Sequence, residues 1–242
     1  MKIEKVDILA IGVHPDDVEL SCMGTVLKHI DFGYSVGLCD LTQGELGTRG
    51  SAELRLIEAE ESRKFVGAKF RVNLGLPDGF INGDKETIFA ISKVIRASRP
   101  YVVFANAFTD RHPDHGRASK IVSEACFYSG LSKIKLMDND GEELQAYRPH
   151  AVYHYIQDRN IQPDFVVDIS KFIDRKFESI MKFRSQFYDA EAKEPSTPIS
   201  GMDFMEFVKA KNKSMGRDIG ADYAEGFNVE RTLGVDDVML LK

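Results

Sequence analysis

Short apolar runs alternate with longer segments of helical spacing through the first half of this 242-residue chain. The apolar runs have the length of buried strands, and the longer segments repeat their apolar residues at the period of a helix. The pattern predicts strands over 6–14, 35–42, 70–76 and 101–106, and helices over 17–32, 52–67, 86–99 and 116–130. Strands and helices that alternate at this pace are typical of a parallel sheet with helices on both faces.

The second half of the chain is less regular. Its pattern predicts two strands, 151–157 and 165–170, and two helices, 172–186 and 203–219. The segment 188–202 contains two prolines among small polar residues, which indicates a loop. We therefore expect one domain over residues 1–242, with an α/β fold. Its core would be a doubly wound, Rossmann-like, mostly parallel sheet with a C-terminal elaboration.

Composition narrows the class of protein. Hydrophobic residues make up 43% of the chain and charged residues 29%, which is ordinary for a globular protein in water. The formal net charge of −6 argues against a broad surface for nucleic acid or an anionic membrane, and no apolar stretch is long enough to span a bilayer. The N-terminal apolar run stops at charges and lacks a cleavage pattern, so we interpret it as a strand and expect a cytoplasmic protein.

The cysteines give no sign of a disulfide framework. Cys22, Cys39 and Cys126 form no CxxC pair, and their number is odd. This usage also argues against a thiolate metal site. We therefore expect three buried thiols.

Two short motifs rich in histidine and aspartate follow predicted strands. HPDD covers 14–17 after the first strand, and HPDH covers 112–115 after the fourth. Ligands of an open parallel sheet bind outside the carboxyl ends of its strands, where the strand order reverses. If the first and fourth strands are neighbours there, one crevice contains six candidate side chains: His14, Asp16, Asp17, His112, Asp114 and His115.

These side chains suit a catalytic metal ion. Imidazoles and carboxylates without thiolates favour Zn²⁺ or Fe²⁺, held by three protein ligands with a position left for water. The remaining carboxylate can then act as a base, and the remaining histidine as an acid or as a partner for an oxyanion. The residues alone do not choose between Asp16 and Asp17 for these roles.

Each motif by itself has a simpler interpretation. A His-Pro-Asp sequence is common at turns, where Pro restricts φ and Asp caps the next helix. Two such motifs, each after a buried strand, are less readily explained by capping. A dinucleotide fold would need a glycine-rich turn, but only Gly12 precedes the first motif and its aspartates would repel a pyrophosphate. The G-x-S-x-G motif of serine hydrolases is also missing.

With these motifs the chain resembles the LmbE-like, or PIG-L-like, N-acetylglucosamine deacetylases. The resemblance extends through DLTQGELGTRGSAELRLIEAEESRKFVGA, LGLPDG and, at 223–227, YAEGF. The GELGTRG and RHPDH segments are most similar to the branch that deacetylates N-acetylglucosaminyl-malate in bacillithiol biosynthesis. The resemblance implies a zinc-dependent hydrolase, with ferrous iron as the alternative metal, that removes acetyl from an N-acetylglucosamine glycoside.

The substrate and the assembly have alternatives. The same deacetylation could act on an inositol glycoside, a chitooligosaccharide or a thiol conjugate. A non-catalytic metal- or sugar-binding protein on the same fold is a further alternative, although Asp16 argues against it because a binder needs no base beside its metal. The resemblance also implies a homo-oligomer, a trimer or hexamer.

Matched by position, the resemblance implies a role for each motif residue. The implied metal ligands are His14, Asp17 and His115. Asp16 would be the general base that acts on the catalytic water. His112 would stabilise the tetrahedral oxyanion and protonate the leaving amine, and Asp114 would orient His112. Relatives with this layout often supply a tyrosine from the C-terminal region, where this chain has Phe204.

The glycine-rich segment after the second strand has two interpretations. Gly44, Gly47 and Gly50 indicate a flexible loop at the same edge of the sheet, followed by a helix that contains Arg55. Arg55 is either only solvated, or it pairs with an anionic group of a substrate that the loop covers, as the resemblance favours. The LPDGF segment, 76–80, is likewise either a Pro-Asp-Gly turn or a contact to the sugar.

Overall fold

The computed structural model describes residues 3–187 and 194–241, and the strands in them form one seven-stranded sheet. The strands are β1 (Ile8–Gly12), β2 (Val36–Thr42), β3 (Phe70–Leu76), β4 (Val102–Ala105), β5 (Ala151–Tyr155), β6 (Phe165–Asp168) and β7 (Ala224–Val229). The α-helices are α1 (Asp17–Asp31), α2 (Ala52–Val66), α3 (Lys85–Ser98), α4 (Pro113–Ser129), α5 (Ile173–Ile180) and α6 (Met202–Arg217). Two short 3-10 helices cover Ser170–Phe172 and Val238–Leu240.

The strands lie in the order β3-β2-β1-β4-β5-β7-β6. Strands β1 to β5 pair in parallel, and β7 runs antiparallel to both of its neighbours. The prediction of an α/β fold with a mostly parallel, doubly wound sheet is confirmed. The chain passes from β1 to β2 and β3 and then crosses back to β4, so the strand order reverses between β1 and β4. A ligand crevice is expected at this position.

Strand β1 is apolar along its whole length because both of its faces are covered. Leu9 and Ile11 pack with residues of α3 and α4, whereas Ile8 and Ala10 pack with residues of α1. A strand between two helical layers has no solvated side, so polar residues do not alternate with apolar ones. The same covering explains why the first half of the chain could be interpreted from its pattern.

The helix expected over 172–186 is shorter in the structure, where α5 ends at Ile180. Beyond this point, Phe187 is buried in an apolar cluster with α2. The backbone N–H and the hydroxyl of Ser185 donate to the carboxylate of Glu58. The apolar spacing is typical of a helix, but these tertiary contacts require turns.

Strand β7 is not predicted by the pattern, because it contains a carboxylate that no alternation of apolar residues would place in a core. Glu225 is fully buried, and its two oxygens accept from the N–H groups of Gly24 and Thr25, at 2.9 and 2.6 Å, and from Lys176 Nζ, at 2.7 Å. Helix α1 is kinked at Cys22, with φ −138° and ψ 16°, which frees these amides. Glu225 therefore acts as a cap inside α1.

Two boundaries also differ from the expectation. Helix α4 begins at Pro113 instead of at residue 116, so the HPDH motif lies in its first turn. In the predicted loop, residues 194–201 form turns and irregular structure, and 188–193 lie outside the described residues.

Within the described parts of the chain, no helix has both the length and the apolar character needed to cross a bilayer. The three cysteines are free and buried, as predicted. Burial raises the pKa of each thiol, so they stay protonated and are poor nucleophiles and metal ligands.

Candidate metal centre and substrate cleft

The HPDD and HPDH motifs meet where the strand order reverses. Strands β1 and β4 are parallel neighbours, so the loops at their carboxyl ends lie side by side. The ring centroid of His14 lies 4.7 Å from that of His112 and 5.4 Å from that of His115. The structure thus brings the candidate side chains together, five of them in the wall of one cleft: His14, Asp16, Asp17, His112 and His115.

Three ligand atoms form a triangle of the size that a divalent ion requires. His115 Nε2 lies 3.2 Å from Asp17 Oδ1 and 3.3 Å from His14 Nδ1, and His14 Nδ1 lies 3.9 Å from Asp17 Oδ1. Ligands at about 2.0–2.2 Å from a tetrahedral ion lie about 3.3–3.6 Å apart, so the triangle is close to a site with a fourth, open position. Ligand atoms of His14, His112 and His115 also lie within 4.8 Å of one another, which gives a second combination.

In both histidines of the triangle, the ring nitrogen outside the triangle contacts a carboxylate. His14 Nε2 lies 2.9 Å from Asp78 Oδ1, and His115 Nδ1 lies 2.6 Å from Asp110 Oδ2. Such a partner fixes the ring and the tautomer of a metal-binding histidine, and here it leaves His14 Nδ1 and His115 Nε2 facing each other. Sequence reasoning gave no role to Asp110, and it treated Asp78 only as part of the LPDGF segment, a turn or a contact to the sugar. The signal for both was an acidic residue in the loops that follow β3 and β4.

Asp17 has one oxygen anchored and the other directed at the histidines. Its Oδ2 accepts from Val13 N–H at 2.8 Å, His14 N–H at 3.1 Å and Asn106 Nδ2 at 2.9 Å. Burial disfavours its charge, but the charge of His115 and hydrogen bonds to both histidines lower the pKa of Asp17 well below its usual value. The group is therefore ionised, as a metal ligand must be.

The charge balance of the triangle favours a cation. Burial lowers the pKa of His14, but hydrogen bonds to Asp17 and Asp78 outweigh it and raise that pKa to about 9. Burial acts likewise on His115, where the charge of Asp17 and the hydrogen bond to Asp110 raise the pKa to about 10. When no other cation neutralises these carboxylates, both imidazole rings are therefore protonated. A divalent ion can take the place of these protons.

Asp16 is buried and strained beside the triangle. Its φ of 139° lies in the left-handed region, which costs a residue with a side chain ~1–3 kcal/mol and is most often found at functional sites. Burial raises the pKa of Asp16 to about 7, and the nearby charge of Arg55 opposes the shift. The carboxylate is 4% exposed and lines the cleft, so it has the position of a base.

Arg55 is not the free guanidinium that pairing with a substrate would require. Its Nη2 donates to Asp16 Oδ2 at 3.2 Å and to the Pro15 carbonyl at 3.1 Å, and Nη1 donates to the Gly44 carbonyl at 3.2 Å. The structure thus places Arg55 as a buried partner of Asp16. Its Nε has no partner among the described residues, and Arg55 lines the cleft, so its assignment to the substrate stays a prediction.

His112 caps helix α4 and is directed by a backbone group. Its Nδ1 accepts from the Asp114 N–H at 3.3 Å, so the neutral ring carries its proton on Nε2. Burial and the charges of His14 and His115 lower the pKa of His112, which favours this neutral form. A neutral ring with an Nε2–H is a donor for an oxyanion.

The carboxylate of Asp114 does not hold His112 in the way that the resemblance implies. Its Oδ1 accepts from Arg117 Nη1 at 2.9 Å, and its buried Oδ2 has no partner among the described residues. A ligand oxygen of Asp114 lies within 4.8 Å of ligand atoms of His14 and Asp78. The Asp114 amide therefore orients His112. The Asp114 carboxylate instead lies near His14 and Asp78.

The two motifs form one wall of a cleft of about 340 Å³. A second wall is formed by helix α6, which contributes Phe204, Phe207, Val208, Lys211, Asn212 and Met215. Leu20, Ile156 and Ile199 extend the apolar surface. The sequence predicted the helix but not its place in the site. The available signal was the spacing of positions 204, 208, 211 and 215, which share one face.

Comparisons with known proteins identify the family of this chain. The family described as "PIG-L: GlcNAc-PI de-N-acetylase" matches residues 9–126. The chain is 29% identical over 194 residues to the diacetylchitobiose deacetylase of Thermococcus kodakarensis, covering 74% of this chain and 70% of that protein. It is also similar to the solved structure of the conserved protein TT1542 from Thermus thermophilus, with a TM-score of 0.84 and 35% identity over 96% of this chain and 98% of that one. The chain belongs to the PIG-L family of deacetylases.

The PIG-L match covers only one wall of the cleft. It begins in β1, contains both motifs and ends at residue 126 in α4, so α6 lies outside it. A 4-oxalmesaconate hydratase of Pseudomonas putida is also similar, at 23% identity over 193 residues, 74% of this chain and 73% of that protein. Proteins similar to this chain are therefore named for two different reactions, a deacetylation and a hydration. The choice between these reactions has to rest on the site residues.

Proposed function

We propose that this PIG-L protein removes the acetyl group from an N-acetylglucosamine glycoside by hydrolysis. The observation that carries the proposal is the triangle of His14, Asp17 and His115 ligand atoms beside Asp16 and His112. A base and an oxyanion donor next to three metal ligands are the groups that amide hydrolysis requires. The names of the matched family and of the diacetylchitobiose deacetylase, which refer to N-acetylated amino sugars, support this choice.

The donor set fits a divalent metal ion, for which we propose zinc, with ferrous iron as the alternative. His14 Nδ1, Asp17 Oδ1 and His115 Nε2 would hold it. Such an ion supplies a Lewis acid that polarises the amide carbonyl and increases the acidity of water.

Asp16 takes the proton from the water that attacks the acetyl carbonyl carbon. Its Oδ2 is restrained by Arg55, so Oδ1 is the oxygen that accepts the proton. Burial keeps bulk water from competing for this carboxylate, and the Arg55 partner keeps it in place.

His112 stabilises the negative charge that develops on the carbonyl oxygen. Its Nε2–H is the available donor, because Nδ1 accepts from the Asp114 amide. When the C–N bond breaks, the proton taken up by Asp16 passes to the amine nitrogen. One water is consumed, and the products are acetate and the free amino sugar.

For the aglycone we propose L-malate, which would place the reaction in bacillithiol biosynthesis. The similarity of the GELGTRG and RHPDH segments to the N-acetylglucosaminyl-malate branch supports this. An inositol glycoside, a chitooligosaccharide and a thiol conjugate are the competing substrates. The cleft of about 340 Å³ is lined by α6 residues as well as by the motifs, so a group beyond the sugar ring would lie against α6.

Acetate release from a panel of N-acetylglucosamine glycosides tests the proposal. We expect the metal-loaded protein to release acetate, with the highest kcat/KM for the malate glycoside, and a chelator to abolish the release until zinc or ferrous ion is restored. His115→Ala should lose both metal and activity. If the loaded protein releases no acetate from any glycoside but hydrates 4-oxalmesaconate, the proposed reaction is wrong.

We also propose that the protein is a homo-oligomer, a trimer or hexamer. The C-terminal segment 233–241 exposes a group of apolar side chains: Leu233, Val235, Val238, Met239, Leu240 and Leu241. Exposed apolar groups of this kind are commonly covered by association. Light scattering that gives the mass of one chain at micromolar concentration would contradict the proposal.

A further inference from the structure

The cleft contains four Lys or Arg side chains besides its histidines. Three of them are already paired with carboxylates: Arg49 with Glu194, Arg55 with Asp16 and Arg111 with Asp158. The fourth, Lys211, has no carboxylate partner at ion-pair distance among residues 3–187 and 194–241. Its one hydrogen bond within those residues runs from Nζ to the Arg159 carbonyl at 3.2 Å.

Lys211 lies on the face of α6 that lines the cleft, between apolar neighbours. Phe207 and Met215 are one turn away on either side, and both line the same cleft. An ammonium group has three N–H donors, and the Arg159 carbonyl uses one of them. The remaining donors are available to a ligand in the cleft.

The partial burial of this ammonium group favours an anionic ligand. Burial lowers the pKa of Lys211 to about 8, although the charges of Asp110 and Asp158 oppose the shift. The group has thus already lost part of its hydration, and it is still charged at neutral pH. An anion that binds this ammonium group therefore loses less binding free energy to competition from water than it would at an exposed lysine.

We propose that Lys211 binds a carboxylate on the aglycone of the substrate and selects anionic glycosides over neutral ones. This inference rests on the proposed function. It assigns to α6 the recognition of charge that the sequence had suggested for Arg55. The acetamido group would lie at the metal triangle and the aglycone against α6, so the two walls would bind opposite ends of one substrate.

The test compares N-acetylglucosaminyl-malate with the neutral methyl N-acetylglucosaminide. We expect Lys211→Met to lower kcat/KM for the malate glycoside by about ten- to a hundredfold, mainly through KM, and to change the methyl glycoside less than about twofold. Lys211→Arg should retain most of the selectivity. The matched control is Lys213→Met, which removes the same charge from an exposed position on the same helix and should change neither substrate.

Calorimetry with the deacetylated products, glucosaminyl-malate and methyl glucosaminide, gives a readout that does not depend on turnover. Lys211→Met should weaken only glucosaminyl-malate. If the wild-type protein releases no acetate from either glycoside, the proposed function fails, but this comparison still tests Lys211. Equal losses for both ligands would mean that Lys211 only joins α6 to the Arg159 loop, and no loss for either would exclude it from the site. Both results would overturn the inference.

Discussion

The two walls of the cleft are built in different ways. On the motif wall, the side chains that would face the metal are fixed by a second hydrogen bond: His14 by Asp78, His115 by Asp110 and Asp17 by three donors. On the α6 wall, Phe204 stacks on Phe187 and Phe207, with ring centroids 6.2 and 6.3 Å apart. Thr197 Oγ1 and Asn212 Oδ1 on that side have no partner among the described residues, as is also true of Arg55 Nε and Asp114 Oδ2 beside the motifs.

From this difference we infer that the motif wall carries out the reaction and the α6 wall recognises the substrate. A reaction needs its groups within a fraction of an ångström of the productive geometry, which the paired carboxylates and backbone donors of the motif wall provide. Recognition of a variable group needs apolar area and free hydrogen-bonding atoms, which a ligand then satisfies. We therefore expect changes on the motif wall to affect turnover or metal content, and changes on the α6 wall to affect substrate binding.

The largest effect on turnover is expected from Asp16→Asn. The amide keeps the shape of the carboxylate but cannot take a proton, so kcat should fall ~10²–10⁴-fold while metal content is unchanged. The matched variant is Asp17→Asn, which should lose metal. Elemental analysis and steady-state kinetics on both proteins measure the two effects. Metal loss in Asp16→Asn with retention in Asp17→Asn would show that the two roles are reversed.

His112→Ala should have the second-largest effect on turnover. Without the Nε2–H donor, kcat should fall ~10²–10³-fold with little change in metal content. His29→Ala is a suitable control, because the hydrogen bond of the His29 ring among residues 3–187 and 194–241 goes to the Thr25 carbonyl within its own helix. Kinetics over a range of substrate concentrations would contradict the assignment if KM rose and kcat stayed at the wild-type value.

Asp110→Asn tests the support behind the metal ligands. Loss of the carboxylate that orients His115 should weaken metal binding by ~10–100-fold, measured by competition with a chromophoric chelator. Asp158→Asn is the matched control, since Asp158 pairs with Arg111 and not with a ligand. A wild-type metal affinity in Asp110→Asn would show that the orientation of His115 does not depend on this bond.

The smallest effect should come from the α6 side of the cleft. Thr197→Val removes a buried hydroxyl that has no partner in the described residues, so it should not lower the melting temperature. If the substrate satisfies this hydroxyl, KM should rise about two- to tenfold with kcat unchanged. Thr232→Val, at an exposed position outside this cleft, provides the control. A loss of kcat instead would place Thr197 with the motif wall.

The parts of the structure that follow from local pattern were predictable. Strands β1 and β4 are covered on both faces, so their apolar runs are unbroken, and glycine or proline marks the ends of the helices that follow β1, β2 and β3. The end of α5 and the existence of β7 were not predictable. They depend on Glu58 bonding Ser185 and on Glu225 capping the amides at the kink of α1, and these partners are far apart in sequence.

The sequence by itself determined the alternation of elements, the two motifs at strand ends and the residue types that suit a divalent metal, because these are properties of short segments. Only the tertiary structure decided which atoms face each other. It paired Asp78 and Asp110 with the histidines and joined Arg55 to Asp16. It also set α6 along the cleft, where Lys211 has no carboxylate at ion-pair distance in the part of the chain that the structure describes. The physical reason is that hydrogen bonds and ion pairs depend on distances between side chains, and those distances are fixed only when the sheet brings distant segments to one edge.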